Sequence, residues 1–253
     1  MFDQIETIFK KQNVFSHKNQ GITVANVKDS ASGVDLVTSI LYEIVDRKTV
    51  FYLSGGSTPK SLYEKLAREE SILPGAVGQV DERFGPTLHQ TSNQLMIRGT
   101  GFLRYLEIRD IPFYPILQNR TREETAQMYD EKIRELNAVF GKNVAVMGIG
   151  TDGHTSGIAP NRIGFTNPMF ASAQQHLLVS EFDDQASTYK ERVAMTFFGL
   201  EMQDLLLLLV FGEDKKEAME RMFEAGSEED IPARFYKRPE IAKRTLLITD
   251  LQI

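Results

Sequence analysis

Apolar residues in this chain fall into short unbroken runs, separated by stretches in which they recur every three or four positions. Thr49-Val50-Phe51-Tyr52-Leu53-Ser54, Asn143 to Met147, Asp204 to Phe211 and Arg244 to Thr249 are runs of the first kind. Runs this short, apolar on both faces, predict central strands of a parallel sheet. Leu62, Tyr63, Leu66 and Ala67 form the stripe of a helix that starts at about Pro59, with Thr58 as its N-cap. Thr121-Arg122-Glu123-Glu124 has a capping-box pattern and opens a second helix, lined by Tyr129, Ile133, Leu136 and Phe140 and stopped by Gly141. A third helix follows Gly212, carries Ala218, Met219, Met222 and Phe223, and is closed by Gly226. Strand, loop and helix in repetition predict the α/β class, with a doubly wound, mostly parallel sheet and one domain over residues 1–253.

Composition narrows the partners more than the fold. Acidic residues outnumber basic ones by 35 to 29, and no dense Lys/Arg block occurs, so nucleic acid is not an expected partner. There are no cysteines, which excludes disulfides, thiolate metal sites and cysteine nucleophiles. Residues 1–13 lack the apolar core of a signal peptide, and the longest apolar run, Leu205 to Phe211, is too short to span a membrane. A cytoplasmic location, with no membrane partner, is the default expectation; monomer and homodimer both stay open.

Candidate chemistry gathers where the strand runs end, as ligand sites do in open α/β sheets. Ser54-Gly55-Gly56-Ser57-Thr58-Pro59 leads from a strand into a helix start. Its glycines let backbone amides approach a ligand, its hydroxyls donate, and the helix N-terminus favours an anion such as a phosphate monoester. A Walker A loop is ruled out, because no Gly-Lys-Ser/Thr follows. Gly148-Ile149-Gly150-Thr151-Asp152-Gly153-His154 places a carboxylate and an imidazole two positions apart, in a chain with only four histidines. The same stretch matches the dinucleotide pattern of glycines, but the residues after Gly153 are rich in Gly, Pro and Asn and cannot open the required helix. The first acidic residue after a later apolar run, Glu181, is also 28 positions past Gly153 rather than about 20. Asp81-Glu82-Arg83 ends a short strand formed by Val77 to Val80, while Arg192 and Lys215 lie downstream as further cations that could converge on the glycine loop. The irregular segment from Thr155 to Met169, beside the Asp152/His154 turn, is expected to be a binding loop.

These stretches, taken in order with Ser92-Asn93 and the surroundings of Arg192 and Gly212-x-x-Lys215, resemble the 6-phosphogluconolactonases, within the wider group that includes the glucosamine-6-phosphate deaminases. The resemblance covers about Ile22 to the C-terminus. It implies a modified Rossmann-like sheet of the sugar-phosphate isomerase type, and a hydrolase with no cofactor and no metal that acts on a small sugar phosphate of the pentose phosphate pathway. It assigns Gly55, Gly56, Ser57 and Thr58 to a phosphate, aided by Arg192 and Lys215. It further implies that Asp81 and Arg83 belong to the substrate site, with Arg83 on phosphate or sugar, and that His154 is the catalytic base, with Asp152 as its expected partner. An imidazole titrates near neutrality and can accept a proton from water, so His154 suits a general base that opens an activated ester. Two departures stand out. The resembled pattern reads Gly-His-Thr-Ala-Ser-Leu-Phe-Pro where this chain has Gly153-His154-Thr155-Ser156-Gly157-Ile158-Ala159-Pro160, and Pro-Ala-Ser where it has Pro232-Ala233-Arg234. Arg234 would then either extend the anion pocket or face solvent. The deaminases carry a glutamate just before the loop proline, and Ala159 in that place favours the lactonase over the deaminase. A sugar-phosphate sensor on the same fold is the non-enzymatic alternative.

Overall fold

In the computed structural model, which describes residues 1–185 and 187–252, the strand runs assemble side by side. β1 (Phe15–Asn19), β2 (Ile22–Asn26), β3 (Thr49–Leu53), β4 (Ala76–Gln79), β6 (Lys142–Met147), β9 (Leu205–Val210) and β10 (Thr245–Thr249) form a seven-stranded sheet in the order β1-β2-β10-β9-β6-β3-β4. Every pairing is parallel except the β1/β2 hairpin at one edge. All six residues of β9 are buried, as a strand covered on both faces requires.

The two faces are packed by different parts of the chain. Phe51, Leu53, Val144, Val146, Leu207 and Leu209 meet α1 (Phe2–Gln12), α2 (Ser30–Ile44), α3 (Ser57–Glu69), α4 (Asn93–Gly99) and α5 (Phe102–Ile108). The alternate residues Val50, Tyr52, Ala145, Met147, Leu206 and Leu208 meet α6 (Arg122–Val139), α7 (Phe197–Glu201), α8 (Lys216–Phe223) and α9 (Pro239–Ala242). This is the two-sided burial expected of a doubly wound sheet, since successive strand residues point to opposite faces.

A second sheet was not anticipated from the sequence. β5 (Asp81–Arg83), β8 (Glu191–Met195) and β7 (Val179–Asp183) form a three-stranded antiparallel sheet in the order β5-β8-β7. It continues from the end of β4 through Val80, whose carbonyl accepts the Met195 N–H at 2.8 Å. Strands this short and this charged lack the unbroken apolar run that revealed the central sheet.

Several boundaries differ from expectation for identifiable reasons. α3 starts at Ser57, so its N-cap is Gly56 and not Thr58, and no side chain caps it. Gly56 adopts φ +112°, open only to glycine, and Pro59 becomes the third helical residue, where its missing N–H costs nothing. The capping box at Thr121 and Glu124 forms as read, but Phe140 is the extended residue that ends α6, ahead of Gly141. The stretch after Gly212 divides into a 3₁₀ turn, Glu213–Lys215, and α8, which ends at Phe223 on an extended Glu224 and not at Gly226.

Strand order explains where a cleft opens. From β3 the chain moves outward to β4 through α3, which packs on one face; from β6 it moves toward β9 through segments packed on the other face. Loops leaving adjacent parallel strands in opposite directions part at the carboxyl ends of β3 and β6, and such a switch point is where open α/β sheets bind ligands.

Candidate active site

At that switch point lies a cleft of about 510 Å³. The loop after β3 contributes Gly55, Gly56, Ser57 and Thr58, the turn after β6 contributes Asp152 and His154, and the turn after β9 contributes Lys215. β5 and β8 bring in Asp81, Arg83 and Arg192. All ten residues singled out from the sequence therefore line one cleft.

The turn after β6 holds its imidazole tightly. His154 Nδ1 lies 2.6 Å from Asp152 Oδ1, and the His154 backbone N–H donates to the same oxygen at 3.1 Å. Burial pushes the Asp152 carboxyl up, but the hydrogen bond from the ring, the imidazole charge and the backbone N–H outweigh it and hold Asp152 down at about 2. An ionised carboxylate only accepts, so Nδ1 carries the proton and Nε2 keeps the free lone pair of the neutral ring. The ring rests against Gly150, where a β-carbon would stand 2.1 Å from Nδ1. No helix opens at Gly153; instead the turn closes through Gly150 N–H to His154 O and Gly153 N–H to Gly150 O, both at 2.9 Å. Glu181 is held by Arg122 at 2.9 Å. Both requirements of the dinucleotide reading are thus unmet.

Thr155 anchors the turn to the body of the protein. Its hydroxyl donates to Gly148 O at 3.0 Å, which leaves the Tyr236 hydroxyl, 2.6 Å away, to donate to Thr155 Oγ1. The segment up to Met169 is irregular but well stitched. The Asn167 side chain donates to Ala159 O at 2.7 Å and accepts the Met169 N–H at 3.0 Å, and Asn161 Oδ1 accepts the Asn167 N–H at 2.7 Å.

Across the cleft, Arg83 and Arg192 are direct cross-strand partners on β5 and β8. Partners in an antiparallel pair point to the same face, and two like charges so placed repel. Arg192 is relieved by an ion pair with the buried Asp81. Arg83 donates to Thr91 O at 2.7 Å and stacks over the Tyr189 ring at 4.2 Å. The Nε atoms of both arginines are buried without a hydrogen-bond partner among the described residues. Two opposed guanidinium groups with donors left over suit an anion placed between them.

Asn93 ties this side to the glycine loop. Its amide donates to Asp81 O at 2.9 Å, while its Oδ1 packs on Gly55, leaving no room there for a β-carbon. Behind it, the buried Glu82 accepts backbone N–H groups from Asn93 and Gln94 at 2.7 and 2.8 Å, fixing the first turn of α4. Burial pushes the Glu82 carboxyl up, only partly offset by these bonds.

The structure adds lining residues that the sequence reading did not nominate: Asn93, Arg162, Asp184 and Tyr189. Arg162 forms an ion pair with the buried Asp184 and stacks over Phe165 at 4.7 Å. Asn93 stood inside a motif already singled out and Arg162 inside the segment expected to be a binding loop, while Asp184 and Tyr189 belong to a segment with no motif and no strong periodicity. Arg234 corrects an expectation, because it neither enters the cleft nor faces solvent. It is buried, and its guanidinium donates to Ser227 O at 2.9 Å.

Comparison with known proteins adds an independent line. Residues 30–246 match the family model described as glucosamine-6-phosphate isomerases/6-phosphogluconolactonase. The chain is 30% identical to a 6-phosphogluconolactonase of Synechocystis, over 80% of this chain and 83% of that one. It is 29% identical to a 6-phosphogluconolactonase of Rhizobium meliloti, over 72% and 76%. Its fold is shared with a 6-phosphogluconolactonase from Plasmodium vivax at a TM-score of 0.75 and 17% identity, over 97% of this chain and 95% of that one. The chain belongs to the glucosamine-6-phosphate isomerase/6-phosphogluconolactonase family.

Proposed function

We propose that this protein hydrolyses the lactone ring of 6-phosphogluconolactone to 6-phosphogluconate, with His154 as general base. The observation that carries this reading is the Asp152-oriented imidazole lining the same cleft as the glycine loop and the opposed arginines. The phosphate rests on the amides and hydroxyls of Gly55 to Thr58 at the start of α3, with Arg83, Arg192 and Lys215 supplying charge. Anchored there, remote from the carbonyl, the substrate is held for reaction without a bimolecular search. His154 Nε2 takes a proton from a water as its oxygen bonds to the lactone carbonyl carbon. The ring C–O bond then breaks, and the departing alkoxide takes that proton back from the imidazolium. Asp152 holds the ring in the competent tautomer and balances its transient charge.

Lactone hydrolysis fits this cleft better than amino-sugar deamination. Each carboxylate lining it is committed to a cationic or imidazole partner: Asp81 to Arg192, Asp152 to His154 and Asp184 to Arg162. At Ala159 the chain supplies no further acid for a proton relay. A sensor would have no use for the Asp152–His154 contact. The test sets freshly made 6-phosphogluconolactone beside glucosamine 6-phosphate. Lactone opening above the spontaneous rate, without ammonia release, is expected; ammonia release, or tight product binding with no turnover, would overturn the reading.

A further inference from the structure

Gly157 lies against the Arg192–Asp81 ion pair, in the loop that continues from His154. Its φ is +68°, and a β-carbon there would stand 2.6 Å from Arg192 Nη2, 3.0 Å from its Nε and 3.1 Å from Asp81 Oδ2. One side of such a contact would have to give. The loop is fixed by the buried Thr155 and Ile158, and by the Ser156 hydroxyl, which donates to Met195 O at 3.3 Å. Asp81 is buried in its turn, and its backbone oxygen accepts from Asn93. The guanidinium of Arg192, at the end of a flexible side chain, is the part that would move.

We propose that Gly157 is a positioning residue for anion recognition. By lacking a side chain, it seats the Arg192 guanidinium against the loop that carries His154, so that the anion anchor and the imidazole share one rigid frame. The identity of the anion as a sugar phosphate rests on the lactonase reading; the seat itself does not.

A built-in control separates this contact from simple backbone strain. Gly164, in the same irregular segment, has a comparable φ of +78°, but none of the described residues stands within 4 Å of a β-carbon there. Both Gly157→Ala and Gly164→Ala incur the penalty of a left-handed alanine, and only the first meets Arg192. Binding of inorganic phosphate and of 6-phosphogluconate is measured by calorimetry, and KM and kcat with the lactone. Gly157→Ala should weaken phosphate and product binding and raise KM by roughly tenfold to a hundredfold, the scale of a lost charge-assisted hydrogen bond, with a much smaller change in kcat. Gly164→Ala should weaken binding and raise KM far less than Gly157→Ala does. In an Arg192→Ala background, Gly157→Ala should add nothing further. Should Gly157→Ala fail to fold, Arg192→Ala must restore folding, because it removes the contact. Equal effects of the two glycine variants, additivity with Arg192→Ala, failed rescue, or no phosphate binding by the unaltered chain would each overturn the proposal. Phosphate binding that responds to Gly157→Ala in a chain with no lactone turnover would refute the lactonase reading and leave this one standing. Turnover with binding indifferent to Gly157→Ala would do the reverse.

Discussion

At the scale of single residues, the Asp152–His154 contact decides what the imidazole does. With Asp152 ionised across the neutral range and bound to Nδ1, Nε2 is the nitrogen left to take a proton in the proposed reaction. Asp152→Asn lets the ring adopt either tautomer, so kcat should fall while KM stays nearly constant; steady-state kinetics separates the two parameters. The contact also leaves a mark on stability. A carboxyl held at about 2, below its ordinary value of 3.8, contributes stability that is full above about pH 4 and is lost as pH falls through 2. Because Asp152 is half exposed, solvent screens the effect and keeps it small. Urea unfolding at stepped pH should show the native chain ahead of Asp152→Asn above pH 4, and the gap closing below it. A gap independent of pH would break the link between the carboxylate and the ring.

At the scale of elements, the cross-strand arginines of β5 and β8 are the groups we propose to hold the substrate's phosphate, and an anion held so binds with an affinity that depends on charge. Arg83→Ala should raise KM several-fold, and the rise of KM with added salt should be shallower than in the native chain, since one screened attraction is gone. Kinetics over a salt series checks this, and an unchanged salt slope would remove Arg83 from the anion site. By contrast, α6 supports the core and contributes no side chain to the cleft. Thr121→Ala removes its capping box and should cost about 1 kcal/mol. Thermal melting should then show a drop of about 2–4 °C, with kcat unaltered. How legible each element was follows from its physics. β3, β6, β9 and β10 were readable because strands buried on both faces must be unbroken apolar runs. α6 was readable because its cap is made by side chains, whereas the start of α3 was misplaced because Gly56 makes the turn through its backbone. The antiparallel sheet stayed hidden: β5 is three residues long and reads Asp-Glu-Arg, so its motif was visible and its strand was not.

At the scale of the whole molecule, strand order turns five separate stretches of sequence into one cleft. The glycine loop and the His154 turn lie about 100 positions apart in the chain, yet β3 and β6 are neighbours in the sheet, and their loops part at the switch point. The motifs were legible one at a time; their convergence was expected only through the family resemblance, because it depends on parallel pairings between strands distant in sequence. Asp184 and Tyr189 were missed because tertiary packing of a segment without periodicity places them, and of the expected binding loop only the segment, not Arg162 itself, could be read. The departure at Gly157, conspicuous in sequence, acquires a physical meaning only when Arg192 is found beside it. The cleft so assembled is proposed to open a sugar-phosphate lactone with a water activated by His154. That proposal is tested most directly by following the opening of freshly made 6-phosphogluconolactone with the native chain and with His154→Ala, each against the spontaneous rate. Opening well above background is expected with the native chain, with a loss of about 10²–10⁴-fold in the variant. A native chain no faster than background, or a variant as fast as the native chain, would contradict it.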